Sequence, residues 1–329
     1  MTPARTATIA LGLATVIWGA TFPAGKLALD GMAAQVPPSG ARWIPIWISA
    51  ARMLIALPIF VLICPRSIRG LGWREFRDSF AIAFPGALGI ALGGWGLQEA
   101  SVTVTAFLTN LTVVFTPVFG TLFFRERLSR GLIAGATVAF LGVFFLTDPI
   151  GGRFGWPEVL VLGSALSFAV QIHFINRFTK NRDAEAMTLG LMIHLAWMYL
   201  LPLLIFPAGR ALLSLRFFAP LPDGSWLSRW GVLGGVLFLA VFGSVIGIWV
   251  FMRWQREIPA TRASVIYALE PVFAALLAWG LLQEPMGRGK IAGGILILAG
   301  NLVCELWGRT PESAKRGDPV LDIQDEGGG

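Results

Sequence analysis

Long uninterrupted runs of apolar residues, separated by short stretches rich in arginine, make up most of the chain. The apolar residues within a run do not alternate with polar ones, so the pattern predicts α-helices and not the strands of a barrel. We predict ten membrane spans, although several fall short of the roughly 20 residues that cross a bilayer comfortably. Their limits are Ala7–Leu29, Ile48–Cys64, Phe80–Leu97, Val102–Phe124, Leu132–Thr147, Val159–Ile175, Thr188–Phe206, Val232–Phe251, Ala263–Leu282 and Ile291–Leu306.

The composition agrees with a protein that is embedded in lipid. Of the 329 residues, 55% are hydrophobic and only 14% are charged, whereas a soluble domain carries about 25% charged residues. Because lipid offers no hydrogen-bonding partners, the backbone must satisfy its polar groups within helices. The chain is therefore predicted to be an all-α integral membrane protein with the lipid bilayer as a partner.

The net charge of +7 adds information about orientation. Arginine and lysine residues concentrate in alternate loops, for example 65–77 and 177–182, as they do in loops that stay in the cytoplasm. The pattern predicts a multi-pass protein of the bacterial cytoplasmic (inner) membrane with cytoplasmic N- and C-termini, and it does not indicate a nucleic-acid partner. The polar segment 309–329 is predicted to be a disordered cytoplasmic tail. The loops 31–47 and 207–230 are predicted to lie along the outer surface, because each carries tryptophans.

A shift of 158 positions brings two parts of the chain into register. The identical pairs are Glu126 with Glu284, Arg130 with Arg288, Gly131 with Gly289, Ile133 with Ile291, Ala134 with Ala292, Gly135 with Gly293 and Gly142 with Gly300. Each repeat then holds five spans, and an odd number of spans makes the second repeat enter the membrane from the opposite side. We predict two inverted five-helix repeats, 1–150 and 151–308, an arrangement typical of secondary transporters.

Four stretches of the sequence form recognisable motifs: Ile17–Pro23 with the later Lys26, Ala51-Arg52, Leu122–Leu128, and Leu269–Trp279. These motifs resemble the EamA family of the drug/metabolite transporter superfamily. Pro285 departs from the family pattern, which has arginine after the glutamate. The resemblance covers about residues 7–307. It implies ten helices around a central cavity, and transport of amino acids, other metabolites or drugs, often as export.

We therefore interpret the chain as a secondary-active exporter of small metabolites that works by alternating access between the two repeats. A membrane channel or a non-transporting membrane subunit remains the alternative. The predicted partners are a small-molecule substrate and a coupling proton, and the oligomeric state is left open between monomer and homodimer.

Polar and aromatic side chains inside the spans are the candidates for substrate binding, because polar groups are costly in lipid. The candidates are Trp18, Thr21, Lys26, Gln98, Asn110, Gln171, His173, Trp249, Tyr267 and Glu270. Each also has a structural interpretation. Glu270, predicted to lie mid-helix beside a kinking Pro271, would bind a cation or carry the coupling proton, or else hold a neighbouring helix through Arg262 or Lys26.

The other candidates carry similar alternatives. Lys26 could meet a substrate carboxylate or reach to the interface, and His173 could titrate near neutral pH or be a satisfied, neutral side chain. Trp18 and Thr21 would line a cavity or simply pack, as would Trp249 and Tyr267. Asn301 is predicted to make a hydrogen bond between helices.

The motifs of enzymes are missing from the sequence. It contains no HExxH motif, no Walker loop and no GxSxG elbow. Two histidines and two scattered cysteines do not suggest a metal site. We predict that the protein is not an enzyme and that it binds neither a metal nor a cofactor.

Overall fold

The computed structural model of the chain describes residues 3–124, 130–147, 154–179, 182–213, 226–254 and 266–307. Within these ranges the chain is almost entirely helical and forms no strand. Glu126, Arg262 and the predicted tail 309–329 lie outside the described residues, so the predictions made for them stay predictions.

Each of the ten predicted spans overlaps a helix. The helices are α1 (Pro3–Ala33), α2 (Ile44–Ile63), α3 (Arg66–Gly70), α4 (Trp73–Glu99), α5 (Val102–Asn110), α6 (Thr112–Phe124), α7 (Arg130–Thr147), α8 (Trp156–Phe178), α9 (Ala184–Ile205), α10 (Pro207–Leu213), α11 (Trp226–Phe238), α12 (Gly247–Trp254), α13 (Glu270–Leu282) and α14 (Arg288–Trp307). Among the described residues, six helical segments are long and apolar enough to cross a membrane, and three more are apolar but shorter.

Apolar side chains face both inward and outward in this bundle. Met53, Ile82 and Leu195 are fully buried or nearly so between α2, α4 and α9, whereas Phe84 and Ile295 are each 61% exposed. A helix that is apolar on its outer face as well as its inner face belongs in lipid. The prediction of an all-α membrane protein is confirmed at this level.

Two predicted spans are not single regular helices. The chain turns at Leu111 and divides the fourth span into α5 and α6, and the ninth span has an irregular turn at 268–269 before α13 begins at Glu270. The apolar pattern did not reveal these breaks, because the few polar residues beside them, Asn110, Thr112 and Glu270, lie within long apolar runs.

The loop before α2 is shorter than predicted. A 3₁₀ helix fills Pro38–Trp43 and α2 already begins at Ile44, so the predicted surface loop 31–47 was too long. The Trp43 ring packs against Phe206 with a centroid distance of 5.1 Å. Because of the earlier start, residues in the first half of α2 lie about four residues farther from the helix start than the sequence suggested.

Helices α7 and α14 cross at glycines. A Cβ atom added to Gly142 would lie 2.7 Å from the Gly293 carbonyl oxygen, and one added to Gly300 would lie 2.6 Å from that of Gly135. Only glycine permits backbones to approach this closely. The glycines that the sequence repeat brings into register are thus the ones at the crossing.

Polar contacts join distant parts of the chain at opposite ends of α4. Near the start of α4, Arg182 forms ion pairs with Asp78 at 3.0 Å and with Glu75 at 3.3 Å; we call this the Arg182 end. Beyond the last residue of α4, the Glu284 carboxylate accepts hydrogen bonds from Lys290 Nζ at 2.7 Å and from the Thr103 amide at 3.4 Å; we call this the Glu284 end.

Candidate functional site

Helix α1 crosses the helical segment 226–254 at two small residues. Gly247 lies directly against the Trp18 indole nitrogen, and a Cβ added to Gly243 would be 3.1 Å from Thr21 Cγ2. Between α11 and α12 the segment Leu239–Ile246 is a π-helix. A π-helix widens the turn and often marks a functional site. The crossing therefore provides both an irregular backbone and a groove that receives the Trp18 ring.

Three aromatic rings meet at this crossing. The centroid of Trp18 lies 5.5 Å from that of Phe251 and 5.8 Å from that of Tyr267, and Phe251 and Tyr267 are 5.9 Å apart. Such distances are favourable for tilted aromatic pairs. Trp18 and Tyr267, two of the predicted site residues, are thus brought together, and Phe251 is a third member that the sequence did not single out.

Glu270 lies beside this aromatic cluster, but not in the middle of a helix. It is the first residue of α13, so Pro271 sits in the first turn, where proline is tolerated; the predicted kink at Pro271 was wrong. A Cβ added to Gly19 of α1 would be 2.9 Å from the Glu270 carbonyl oxygen. The carboxyl group is partly buried and forms no ion pair with the described basic residues.

Asn110 connects the two irregular turns. Its side-chain amide donates to the Tyr267 carbonyl at 3.2 Å, and its Oδ1 accepts from Asn301 Nδ2 at 2.5 Å. The hydrogen bond that we predicted for Asn301 between helices is confirmed. Asn110 closes α5 directly before the turn at Leu111, so it satisfies a backbone group that the turn before α13 leaves free.

The next predicted pair, Gln171 and His173, lies on α8. The Gln171 side chain packs against Gly86 of α4, and a Cβ added to Gly89 would meet the Phe168 ring at 2.8 Å. His173 Nε2 is 2.9 Å from the Thr116 carbonyl oxygen on α6. This second crossing, of α8 with α4, resembles the first in pairing large side chains with glycines.

Lys26 and Gln98 lie apart from the aromatic cluster, at the Glu284 end. Lys26 Nζ donates to the carbonyl oxygens of Leu97 at 3.2 Å and of Gln98 at 2.9 Å, and it pairs with the exposed Asp30. The Gln98 side chain donates to the Ala41 carbonyl at 3.0 Å. Both side chains satisfy helix-end and loop carbonyls, a role the sequence did not predict.

Arg52 is a charged residue inside the bundle that the sequence reasoning did not propose for the site. It lies near the middle of α2, it is partly buried, and its Nε has no hydrogen-bond partner among the described residues. The predicted start of the second span at Ile48 placed Arg52 close to a membrane surface. The predicted site residue Trp249 is comparable, because its indole nitrogen is buried without a partner in the same described part of the chain.

Two cavities lie away from the aromatic cluster. One, of about 550 Å³, is an apolar groove on α6 and α7 whose walls include the outward-facing Phe140 and Phe144. The other, of about 420 Å³, lies at the Arg182 end beside Trp73 and His194. We give more weight to the buried polar groups than to these grooves, because both grooves are lined by exposed apolar side chains that suit lipid.

Known proteins resemble this chain over nearly its whole length. The EamA-like transporter family matches residues 5–148 and, a second time, residues 155–304. The chain belongs to the EamA-like transporter family. The resemblance that the sequence motifs indicated is thereby confirmed.

Relatives of this EamA-like protein are named as transporters. An uncharacterized transporter of Archaeoglobus fulgidus is 26% identical over 91% of this chain and 86% of its own. A probable terminal-alkyne amino-acid exporter of Streptantibioticus cattleyicolor is 27% identical over 88% and 90%, and a probable amino-acid metabolite efflux pump of Escherichia coli is 26% identical over 88% and 91%. A solved crystal structure shares the fold with a TM-score of 0.60, at 19% identity, over 93% of this chain and 98% of its own.

Family membership decides the class of activity. The EamA-like protein is a small-molecule transporter and not an enzyme, as predicted. Its apolar helices and its bacterial relatives make it a multi-pass inner membrane protein.

Proposed function

We propose that this EamA-like protein is a secondary-active carrier that exports amino acids or related metabolites. Alternating access would take place between two inverted five-helix repeats, 1–150 and 151–308, with ten crossings and both termini in the cytoplasm. The substrate would bind next to the aromatic cluster of Trp18, Phe251 and Tyr267.

The observation that carries the proposal is the way the two sequence repeats pack. Gly142 contacts Gly293. Their counterparts 158 positions away, Gly300 and Gly135, contact each other in the same way. A two-fold axis passing between α7 and α14 would produce such a pair of contacts. The double match of the family, to 5–148 and 155–304, supports the same division.

The breaks in two of the helices independently support the division into two repeats. The turn at Leu111 and the turn at 268–269 lie at counterpart positions under the same shift of 158. Discontinuous helices near the middle of the membrane are a common way for transporters to expose backbone groups to a substrate. Two relatives are named for amino-acid export, which favours that substrate class.

The test is counterflow in proteoliposomes made from the purified protein. Vesicles are loaded with one unlabelled compound from a panel of amino acids that includes L-leucine, and uptake of a trace of the same labelled compound is followed. Transient accumulation, absent from protein-free vesicles, is the expected result. Traces that stay flat across the panel contradict the proposal, and a large ion leak in the same vesicles supports the channel alternative.

Glu270 provides a second arm of this test. If Glu270 carries the coupling proton, Glu270→Gln keeps counterflow and loses accumulation driven by a pH gradient. If it binds the substrate ammonium group, the same variant loses counterflow as well. Glu99→Gln, at an exposed helix end, is the matched control and should behave as the wild type. Loss of folded protein in Glu270→Gln alone would instead indicate a structural carboxylate.

A further inference from the structure

Arg52 lies deep in the bundle. It is roughly 12 Å from the start of α2 and 17 Å from its end, at about 1.5 Å of rise per residue. Leu54, which faces outward and is 48% exposed, is on the opposite side of the helix. Ser49 and Ala56, about one turn away in either direction, are 4% and 0% exposed. The guanidinium group therefore projects into the interior of the protein and not into lipid.

No carboxylate neutralises Arg52 among the described residues. The ion pairs in that part of the chain involve other basic side chains. Tyr199 of α9 is close enough to interact with Arg52 electrostatically, but its hydroxyl already donates to the Ala87 carbonyl at 2.9 Å. An unpaired charge at this depth is costly unless a partner arrives.

A second unused donor lies on α12. The Trp249 ring of α12 packs against the apolar cluster that contains Ala56, one turn from Arg52 on α2. Its indole N–H is buried and has no acceptor in the described ranges, and neither has Arg52 Nε. Helices α2 and α12 both pack against the π-helix Leu239–Ile246. Buried donors are nearly always paired in folded proteins, so unpaired donors on these two helices indicate an acceptor that comes from outside the chain.

We propose that Arg52 binds the carboxylate of the transported compound and that the Trp249 indole N–H donates to the same carboxylate. The planar guanidinium group matches a carboxylate in shape and can bind both of its oxygens. This inference rests on the proposed function, since it names the chemical group by which the carrier recognises an amino acid.

The experiment compares L-leucine with L-leucinamide, which lacks the carboxylate, as competitors of labelled L-leucine counterflow. In the wild type, leucine should compete far better than the amide. In Arg52→Gln, the half-inhibitory concentration of leucine should rise about tenfold or more while that of the amide stays the same. Trp249→Phe keeps the ring and removes the N–H, so a smaller rise of about threefold is expected.

Trp43→Phe is the matched control. The Trp43 indole nitrogen is also buried without a partner in the described residues, but it lies outside the proposed site, next to Phe206. This variant should keep the wild-type preference for leucine. Size-exclusion profiles and thermal unfolding in detergent establish that each variant is folded, and if Arg52→Gln does not fold, Trp249→Phe decides the matter.

The outcomes separate this inference from the proposed function. If leucine exchanges and a folded Arg52→Gln or Trp249→Phe variant keeps the full wild-type preference, the carrier stands and the carboxylate assignment is wrong. Wild-type protein that does not distinguish leucine from its amide overturns the assignment in the same way. If the wild type exchanges neither leucine nor any other compound of the panel, the function and the inference fall together.

Discussion

At the Arg182 end, one guanidinium group bridges two carboxylates of α4, whereas at the Glu284 end one carboxylate joins an ammonium group to the start of α5. Both contacts connect residues of the first family match with residues of the second. Asp78 has only 5% of its side chain exposed, so separating the Arg182 end would leave this buried carboxylate with the exposed Arg77 as its remaining described ion-pair partner. The Glu284 end depends more on one ion pair and on the partial positive charge at a helix N-terminus.

This difference has a consequence for the proposed carrier, which would open at each end in turn. Opening the Arg182 end would break ion pairs between the two repeats, one of them to the buried Asp78. At the Glu284 end the ion pair with Lys290 lies within the second repeat, so opening would break the hydrogen bond of Glu284 to the start of α5, which costs less. We expect the Arg182 end to resist opening more strongly than the Glu284 end. The following substitutions test that comparison.

The largest effect is expected for Arg182→Gln. Removing the guanidinium group leaves Glu75 and the buried Asp78 close together, with the exposed Arg77 as the remaining described partner of Asp78. This should lower the free energy of unfolding by about 2–3 kcal/mol. Chemical unfolding of the purified protein in detergent measures this loss. In proteoliposomes, an engineered cysteine near Phe76 should also react faster with a membrane-impermeant thiol reagent.

Arg77→Gln is the control for this substitution. Arg77 contacts the same Asp78 carboxylate at 2.9 Å, but 66% of its side chain is exposed. An exposed ion pair contributes about 0–1 kcal/mol, so the stability should change little. Equal losses for Arg77→Gln and Arg182→Gln would mean that the network does not hold this end together.

Glu284→Gln should have a smaller effect at the opposite end. It removes the negative charge that Lys290 and the α5 N-terminus share, and we expect a loss of about 1–2 kcal/mol. Asp30→Asn is the matched control, because the pair of Asp30 with Lys26 is exposed on the Asp30 side. A loss for Glu284→Gln as large as that for Arg182→Gln would contradict the ranking of the two ends.

The contribution of the Glu284 carboxylate to stability should depend on pH in a definite direction. Burial acts to raise the pKa of Glu284, but hydrogen bonds from Lys290, Thr103 and Ser101 outweigh it and hold the pKa below its ordinary value. The stabilisation is therefore fully present above the unfolded pKa of about 4.3 and is lost as the pH falls through the lower folded pKa. The stability difference between wild type and Glu284→Gln should be constant near neutral pH and shrink in acid.

Much of the fold follows from the sequence, because lipid imposes a simple rule on which residues face it. The apolar runs predicted where helices occur, and glycines that the repeat brings into register lie at the crossing of α7 with α14. The local geometry of the backbone could be predicted less well from the sequence. The turn at Leu111 and the start of α13 at Glu270 lie within long apolar runs, and Asn110 and Pro271 beside them were interpreted as a cavity residue and a kink.

The site was predictable only in part. Trp18, Tyr267, Glu270 and Asn110 are linked around one crossing, as inward-facing polar and aromatic residues should be. Lys26 could not be interpreted without knowing that the end of α4 lies within its reach. Arg52 was missed because an error of four residues at the start of α2 made a deep residue look superficial.

The smallest expected effect concerns Gln283, the residue before Glu284. It closes α13 in the left-handed conformation, with φ of 53°, which glycine adopts without the steric cost that a Cβ brings. Gln283→Gly should therefore raise the free energy of unfolding, by about 0.5–1 kcal/mol at most, because the glycine also increases the entropy of the unfolded chain. Thermal unfolding in detergent measures the gain. Since the turn would hold Glu284 in place with less strain, the substitution should also slow opening at the Glu284 end, and a faster reaction of an engineered cysteine there would contradict this.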